Sequence, residues 1–395
     1  MLDPLGPPPA WLREFTKPYA LLLDSPTLTE HIHEVFLAFA FYQFIHSVVS
    51  PVLSPILFPQ SYSKLSARTK LNWDIHVVSL VQSIVINALA LWVMFVDDER
   101  NSMSPLERVF GYTGACGLIQ ALAVGYFIYD LIVSTIYVKM FGIGTLFHAI
   151  SALWVFSLGF KPFLNYYAST FILYELSTPF LNIHWFLDKV NMTGSKAQWY
   201  NGMALLSVFF SCRLIWGTWQ SVVVYSDMWT ALQQTWNASS GPLTEPVNIN
   251  ANVFQLTRSS MCIDETCARA NAEISQFKEY TAAGVPTWLV LTYVLSNLVL
   301  NFLNYFWFFK MVETVLKRFR TPEASGTKPA RGEKKGESAK LEGPAQDIIL
   351  EAAANMEAEG SPLREHPSRD FDVGTNEELR RRRVDLVSKV PLPGS

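Results

Sequence analysis

Apolar residues in this chain gather into long runs separated by short polar stretches, and the pattern repeats from about Glu34 to Lys310. A helix must supply about 20 apolar residues to cross a hydrocarbon layer roughly 30 Å thick, where no water satisfies backbone groups. Segments that meet this condition lie near Glu34–Leu57, Ile75–Val96, Thr113–Val138, Met140–Phe160, Pro162–Leu187, Tyr200–Tyr225 and Pro286–Phe309. The predicted architecture is an all-α, polytopic integral membrane helical bundle of about seven transmembrane helices. Pro51 and Pro55 lack an amide hydrogen and should kink or end the first span. The connectors around Lys139 and Lys161 are only a few residues long, so spans three to five should pack as antiparallel neighbours.

Beyond the last run the pattern stops. Residues 321–395 are rich in Lys, Arg, Glu, Gly and Pro, and so polar a segment buries too little surface to offset the entropy of ordering. They are expected to form a disordered tail, with one short helix around Ile348–Met356 and a cluster, Arg380–Arg383, able to touch anionic headgroups. The division expected is a lumenal segment 1–33, a first transmembrane helix 34–57, a membrane domain 68–315 with a lumenal loop 226–284, and the tail.

Composition sharpens this picture. Half of the 395 residues are hydrophobic and 16% are charged, against roughly 25% in soluble chains. A net charge of −3, with no cationic cluster in the body, excludes a nucleic-acid binder. Lys and Arg flank the spans unevenly. With the N-terminus outside, Lys64, Arg68, Lys70, Lys139, Lys189, Lys196, Lys310, Lys317, Arg318 and Arg320 fall inside, and only Arg13, Lys17, Arg100, Arg108 and Lys161 outside. Cytoplasmic loops retain positive charge, so a lumenal N-terminus and a cytosolic C-terminus are expected. The loop before the last span would then be lumenal. It carries Asn237-Ala-Ser239, a glycosylation acceptor pattern, and Cys262 and Cys267, which could close a small disulfide in an oxidising compartment. Asn191-Met-Thr193 falls on the cytosolic side and should stay unmodified; Cys116 and Cys212, inside apolar runs, read as small buried side chains.

Ionisable groups inside a bilayer are costly unless paired or hydrated, so each marks a candidate site. Asp130 falls in the middle of span three, His148 in span four, Glu175 in span five and Arg213 in span six. Glu175, Thr178, Pro179 and Asn182 recur at spacings of three and four, which sets them along one helical face. Two readings stand together. Arg213 neutralises Asp130 or Glu175 and the group only fixes helix packing, or Asp130, His148, Glu175, Thr178, Asn182 and Arg213 line a cavity for a lipid headgroup or acyl ester. His46 is the remaining ionisable group within a run, whereas His76 and His184 lie near span ends and read as interfacial. The chain contains no Gly-x-Ser-x-Gly elbow, Walker loop or His-Glu-x-x-His helix. His31-Ile-His33 is a weak metal signal and is read as interfacial, so neither metal nor cofactor is expected.

Five stretches, in order, carry a resemblance: Lys70-Leu-Asn-Trp-Asp-Ile-His-Val-Val-Ser79 leading to Gln82-Ser83, Gly125-Tyr-Phe-Ile-Tyr-Asp130, Phe147-His148, Glu175-Leu-Ser-Thr-Pro-Phe-Leu-Asn182 with Trp185, and Phe209-Phe-Ser-Cys-Arg213. Together they resemble the TLC domain, the family of translocation-associated membrane proteins, ceramide synthases, and lipid-homeostasis and trafficking proteins. The resemblance implies an endoplasmic reticulum membrane location and a bundle of about six helices, spans two to seven, around a membrane-accessible cavity. Ceramide synthases of the family carry paired histidines and later acidic residues needed for acyl transfer. Here Phe147 stands at the first histidine, only His148 remains, and a Glu-x-Ser-Thr-Pro-Phe run replaces the acidic pattern, as in the non-synthase branch. The function expected is binding or sensing of membrane lipid in the service of lipid homeostasis. The alternatives are an acyl-CoA-dependent acyltransferase with His148 as base, oriented by Asp130 or Glu175, and a cargo or biogenesis factor that meets membrane-protein partners through its loops and tail.

Overall fold

A computed structural model of the chain describes residues 1–239 and 265–319, and among them all regular structure is helical. We label the main elements α1 (Ala10–Leu22), α2 (Leu28–Leu57), α3 (Ala67–Val96), α4 (Pro105–Phe110), α5 (Gly114–Ile136), α6 (Ile143–Leu158), α7 (Thr178–Lys189), α8 (Lys196–Ala238), α9 (Glu265–Ile274) and α10 (Thr287–Phe319). Five of them, α2, α3, α5, α8 and α10, are long and apolar enough to cross a membrane; α6 is apolar but shorter.

Capping chemistry sets several starts. Side chains of Ser66, Thr113 and Ser195 accept from Thr69 N, Cys116 N and Gln198 N at the heads of α3, α5 and α8, and Ser104 with Glu107 forms a capping box on α4. Each satisfies an amide that the helix itself leaves open.

The spans differ from the sequence expectation in instructive places. α2 ends at Leu57 as expected, past Pro51 and Pro55, but begins at Leu28, before the expected Glu34. A π-helical turn at Ile45–Val49 precedes Pro51 and widens the backbone where the proline ring removes a bond. α6 is confined to Ile143–Leu158 because Gly142, at φ +90°, breaks the chain from the short turn Val138–Phe141. The expected fifth span, Pro162–Leu187, is not one α-helix: 3₁₀ segments at Asn165–Tyr167 and Ile172–Ser177 bracket a single turn, and α7 starts only at Thr178 with Pro179 in its first turn. α8 continues well past Tyr225, with a π-helical segment at Phe210–Trp216. At 1.5 Å per residue it is about 65 Å long, twice the hydrocarbon thickness.

α2 lies along α5, α5 against α6, and α6 against α10, while α7 packs between α3 and α8. The α2–α5 contact is close because α5 is built from small residues there. A Cβ at Gly125 would sit 2.6 Å from the Val35 carbonyl oxygen, and the same distance from Ala38 Cβ. Small side chains let membrane helices approach to van der Waals contact, which replaces the hydrophobic drive that lipid cannot supply. Val35 and Ala38 of α2 and Ile119, Ala123 and Phe127 of α5 share one buried apolar cluster with Ile86 and Ala90 of α3. Outside it, α1 exposes Trp11, Phe15, Tyr19 and Leu22 along one face, the pattern of a helix lying in a membrane interface.

The tail 321–395, with the Ile348–Met356 and Arg380–Arg383 features, lies outside the described residues, as do Cys262 and the side chain of Cys267. Asn237 is described: it is exposed on the last turns of α8, not in a loop.

Candidate functional site

Asp130, His148, Glu175, Thr178, Asn182 and Arg213 all line one cavity of about 180 Å³. Every span-forming element except α2 contributes to it: Asn72, Ile75, His76 and Ser79 from α3, Tyr126 and Asp130 from α5, Thr145 and His148 from α6, and Trp307 from α10. Its apolar wall is made by Ile75, Val133, Phe141, Leu181 and Trp307. The lining residues of α3, α5, α6 and α10 come from the helix halves that end beside Lys70, Lys139 and Lys310.

Arg213 is the centre of the polar wall. It sits inside the π-helical segment of α8, whose extra residue per turn shifts the helix face and turns the guanidinium inward. Nε donates to Ser177 Oγ at 3.0 Å, Nη1 to Asn304 Oδ1 at 3.0 Å, and Nη2 to Thr178 Oγ1 at 3.2 Å. The nearest Glu175 oxygen is 3.8 Å from Nη2, and Thr178 Oγ1 donates to the other at 2.8 Å. The guanidinium carbon also lies 5.0 Å above the Phe209 ring. Arg213 therefore pairs with Glu175, and the wall is satisfied by neutral hydroxyls and an amide as well as by charge. Glu175 itself belongs to the 3₁₀ segment Ile172–Ser177 and not to an α-helix. The i to i+3 stacking of that tighter helix still sets it directly before Thr178 on the cavity side.

A second polar group lines the same cavity. His76 Nδ1 and Asn182 Oδ1 are 2.6 Å apart, Asn182 Nδ2 donates to Ser79 Oγ at 3.0 Å, and the His76 ring stacks on Trp185 at 4.1 Å. His76 is thus a buried cavity residue, not the interfacial one expected from its position in the run. The reason is that α3 starts at Ala67, a full two turns earlier than the apolar count indicated. His184, also expected at the interface, is buried. A signal for the His76 wall was present, since Asn72, His76 and Ser79 recur at four and three along α3.

His148 reaches the cavity from α6, with its ring 5.6 Å from Trp307, and its Nδ1 is buried without a hydrogen-bond partner among the described residues. Phe147 beside it is 53% exposed on the outer face of α6. A histidine at 147 would point away from the cavity, so the chain presents one imidazole from α6 to it. Amides of α10 were not singled out by sequence, because they carry no charge. Yet Asn304 holds Arg213, Asn301 accepts from Tyr174 and Asn297 accepts from Ser221 and Tyr225. Their spacing of four and three is the stripe that marks a buried polar face.

Comparison with known proteins adds a family. The TLC domain is matched over residues 72–313, a span that contains every residue lining the cavity. A TLC domain-containing protein of Schizosaccharomyces pombe is 37% identical over 310 residues, covering 78% of this chain and 87% of that protein. Topoisomerase I damage affected protein 4 of Saccharomyces cerevisiae is 32% identical over 213 residues, 52% of this chain and 74% of that one. Human TLC domain-containing protein 4 is 31% identical over 181 residues, 45% and 67% respectively. No solved structure matches.

Proposed function

The chain belongs to the TLC-domain family and is not one of its ceramide synthases, and from that premise we propose that it binds a membrane lipid in the Arg213–Glu175 cavity and thereby contributes to membrane lipid homeostasis. The observation that carries this reading is the composition of the cavity wall. It is apolar over Ile75, Val133, Phe141, Leu181 and Trp307 and ionisable over Arg213, Glu175, Asp130 and His148. An amphipathic wall fits an amphipathic ligand, with a headgroup or ester at Arg213 and hydrocarbon against the aromatic and aliphatic side. Its lysine-flanked end is the end assigned to the cytosol by the charge rule, so the lipid would come from the cytosolic leaflet. The reading includes an endoplasmic reticulum location, a lumenal N-terminus, and glycosylation at Asn237.

The test is mass spectrometry of lipids retained by detergent-purified protein, with Thr145→Trp as a variant that fills the cavity. One lipid class should be retained by the wild type and lost from the filled variant, and Glu175→Gln should change its amount or identity. Equal lipid on both proteins would overturn the reading.

A second reading is favoured by one atom. His148 Nδ1, buried at the cavity wall without a hydrogen-bond partner among the described residues, is where a base would sit for acyl transfer to a lipid amine, with Asp130 or Glu175 to orient it. Formation of an acylated lipid from acyl-CoA and an acceptor other than a sphingoid base, abolished in folded His148→Ala, would support it; no product from the wild type would remove it.

A further inference from the structure

At the end of the bundle away from the cavity, where α5 begins, the N-terminal segment folds onto α2. The ligand atoms of Asp3, His33 and Glu34 all lie within 4.8 Å of one another. We propose that these three side chains bind a divalent first-row transition ion, of which Zn²⁺ is the representative. The site lies outside residues 72–313, so it does not belong to the matched family domain.

Glu34 is fully buried, and its two oxygens are in different situations. Oε2 faces His31 Nδ1 at 2.7 Å. Oε1 receives no hydrogen bond from any described N–H or hydroxyl, and points toward His33 Nε2 at 3.9 Å. Both ring nitrogens of His33 are likewise buried without a hydrogen-bond partner among the described residues. Asp3, only 15% exposed, brings a second carboxylate to the same point. Two carboxylates turned toward each other away from water need a cation or a shared proton between them. The idle imidazole nitrogen beside them favours the cation. In tetrahedral coordination, with Zn–N and Zn–O near 2.0–2.2 Å, ligand atoms lie about 3.4 Å apart, so small side-chain rotations close the present separations. One imidazole with two carboxylates suits Zn²⁺ or its neighbours better than Ca²⁺ or Mg²⁺, which take oxygen alone. A water would complete the set.

The surroundings are shaped for this arrangement. His31 is fully buried, with Nε2 2.6 Å from the Tyr112 hydroxyl. Burial first, then the Asp3 and Glu34 carboxylates, push the Tyr112 hydroxyl well above its ordinary range, so it stays a donor. With Tyr112 donating to Nε2 and Nδ1–H donating to Glu34, His31 is a neutral relay that fixes the carboxylate from behind. Two glycines of α5 make the room. A Cβ at Gly117 would meet His31 Nε2 at 2.1 Å, and one at Gly114 would meet Asp3 N at 2.3 Å.

The test uses the full chain, purified in detergent without a polyhistidine tag and stripped with a chelator, then titrated with Zn²⁺ against a chromophoric competitor. Wild type should take up one equivalent per chain, with a zinc-dependent rise in melting temperature. His33→Ala should lose that binding and that rise. Tyr112→Phe should weaken binding by about tenfold or more, as expected of a group that orients a ligand. Asp3→Asn, at a partly exposed position, is the second ligand variant should His33→Ala fail to fold. No stoichiometric binding by the wild type, or binding unchanged in the ligand variants, would overturn the proposal and leave a proton shared by Asp3 and Glu34.

Discussion

Arg213 and Glu175 are held together by a third residue more than by each other. Their closest charged atoms are 3.8 Å apart, while the Thr178 hydroxyl takes a hydrogen bond from one and gives a hydrogen bond to the other.

Removing one member of such a buried pair leaves the other without compensation. Arg213→Met should therefore destabilise the protein by about 3–5 kcal/mol, and Glu175→Gln by less, since the amide still accepts from Thr178. In the double variant the losses should fall short of their sum by at least about 0.5 kcal/mol. Unfolding followed in detergent micelles reads all three, and strict additivity would mean that the pair is not coupled.

Gly125 is tested by contrast with Gly144. A side chain at 125 drives into the Val35 carbonyl, whereas a Cβ at 144 meets no described atom within 4 Å. Gly125→Leu should cost about 1–3 kcal/mol or more from overpacking, and Gly144→Ala should be neutral or stabilising by up to about 1 kcal/mol. Thermal melts of the two proteins decide it, and similar melting temperatures would contradict the close approach of α2 and α5.

Asn182 serves His76 and Ser79 at once. Asn182→Leu should lower stability by about 1–3 kcal/mol because both partners lose a buried hydrogen bond. Its neighbour Ile183, 38% exposed, should tolerate Ile183→Val within about 0.5 kcal/mol. Comparable losses at the two positions would show that the His76 wall is not built on Asn182.

Membrane orientation has its own readout. If the N-terminus is lumenal, glycosidase treatment should shift the electrophoretic mobility of the wild type but not of Asn237→Gln. Asn191 lies in the turn between α7 and α8 and has a left-handed backbone, φ +59°. A shift lost in Asn191→Gln instead would reverse the topology.

The ionisable half of the cavity was legible in the sequence because charge within an apolar run is costly enough to stand out. Asp130, His148, Glu175 and Arg213 could be picked out without knowing where they met. The neutral half was not. Asn297, Asn301 and Asn304 do similar work without charge, so only their spacing distinguishes them from polar residues facing a headgroup. His76 was misjudged because the first turns of α3 contain Lys70, Asn72 and Asp74, which hide the helix from an apolar count although Ser66 marks its start. The π-helical turns at Ile45–Val49 and Phe210–Trp216 left no trace in the residue pattern. A widened turn is settled by what packs against it, and a single chain read in order does not show its neighbours. The same holds for the 3₁₀ segment that carries Glu175, whose residues keep the spacing of an ordinary helix.

The tight seam between α2 and α5 restricts traffic. Where the Gly125 backbone touches Val35 and Ala38, no acyl chain can slip between the two helices. α2 gives no residue to the cavity wall, so it acts as a shutter over the back of α5. Any lipid that reaches Arg213 from the bilayer must enter by another flank, and cross-links placed along the other helix gaps would find the doorway.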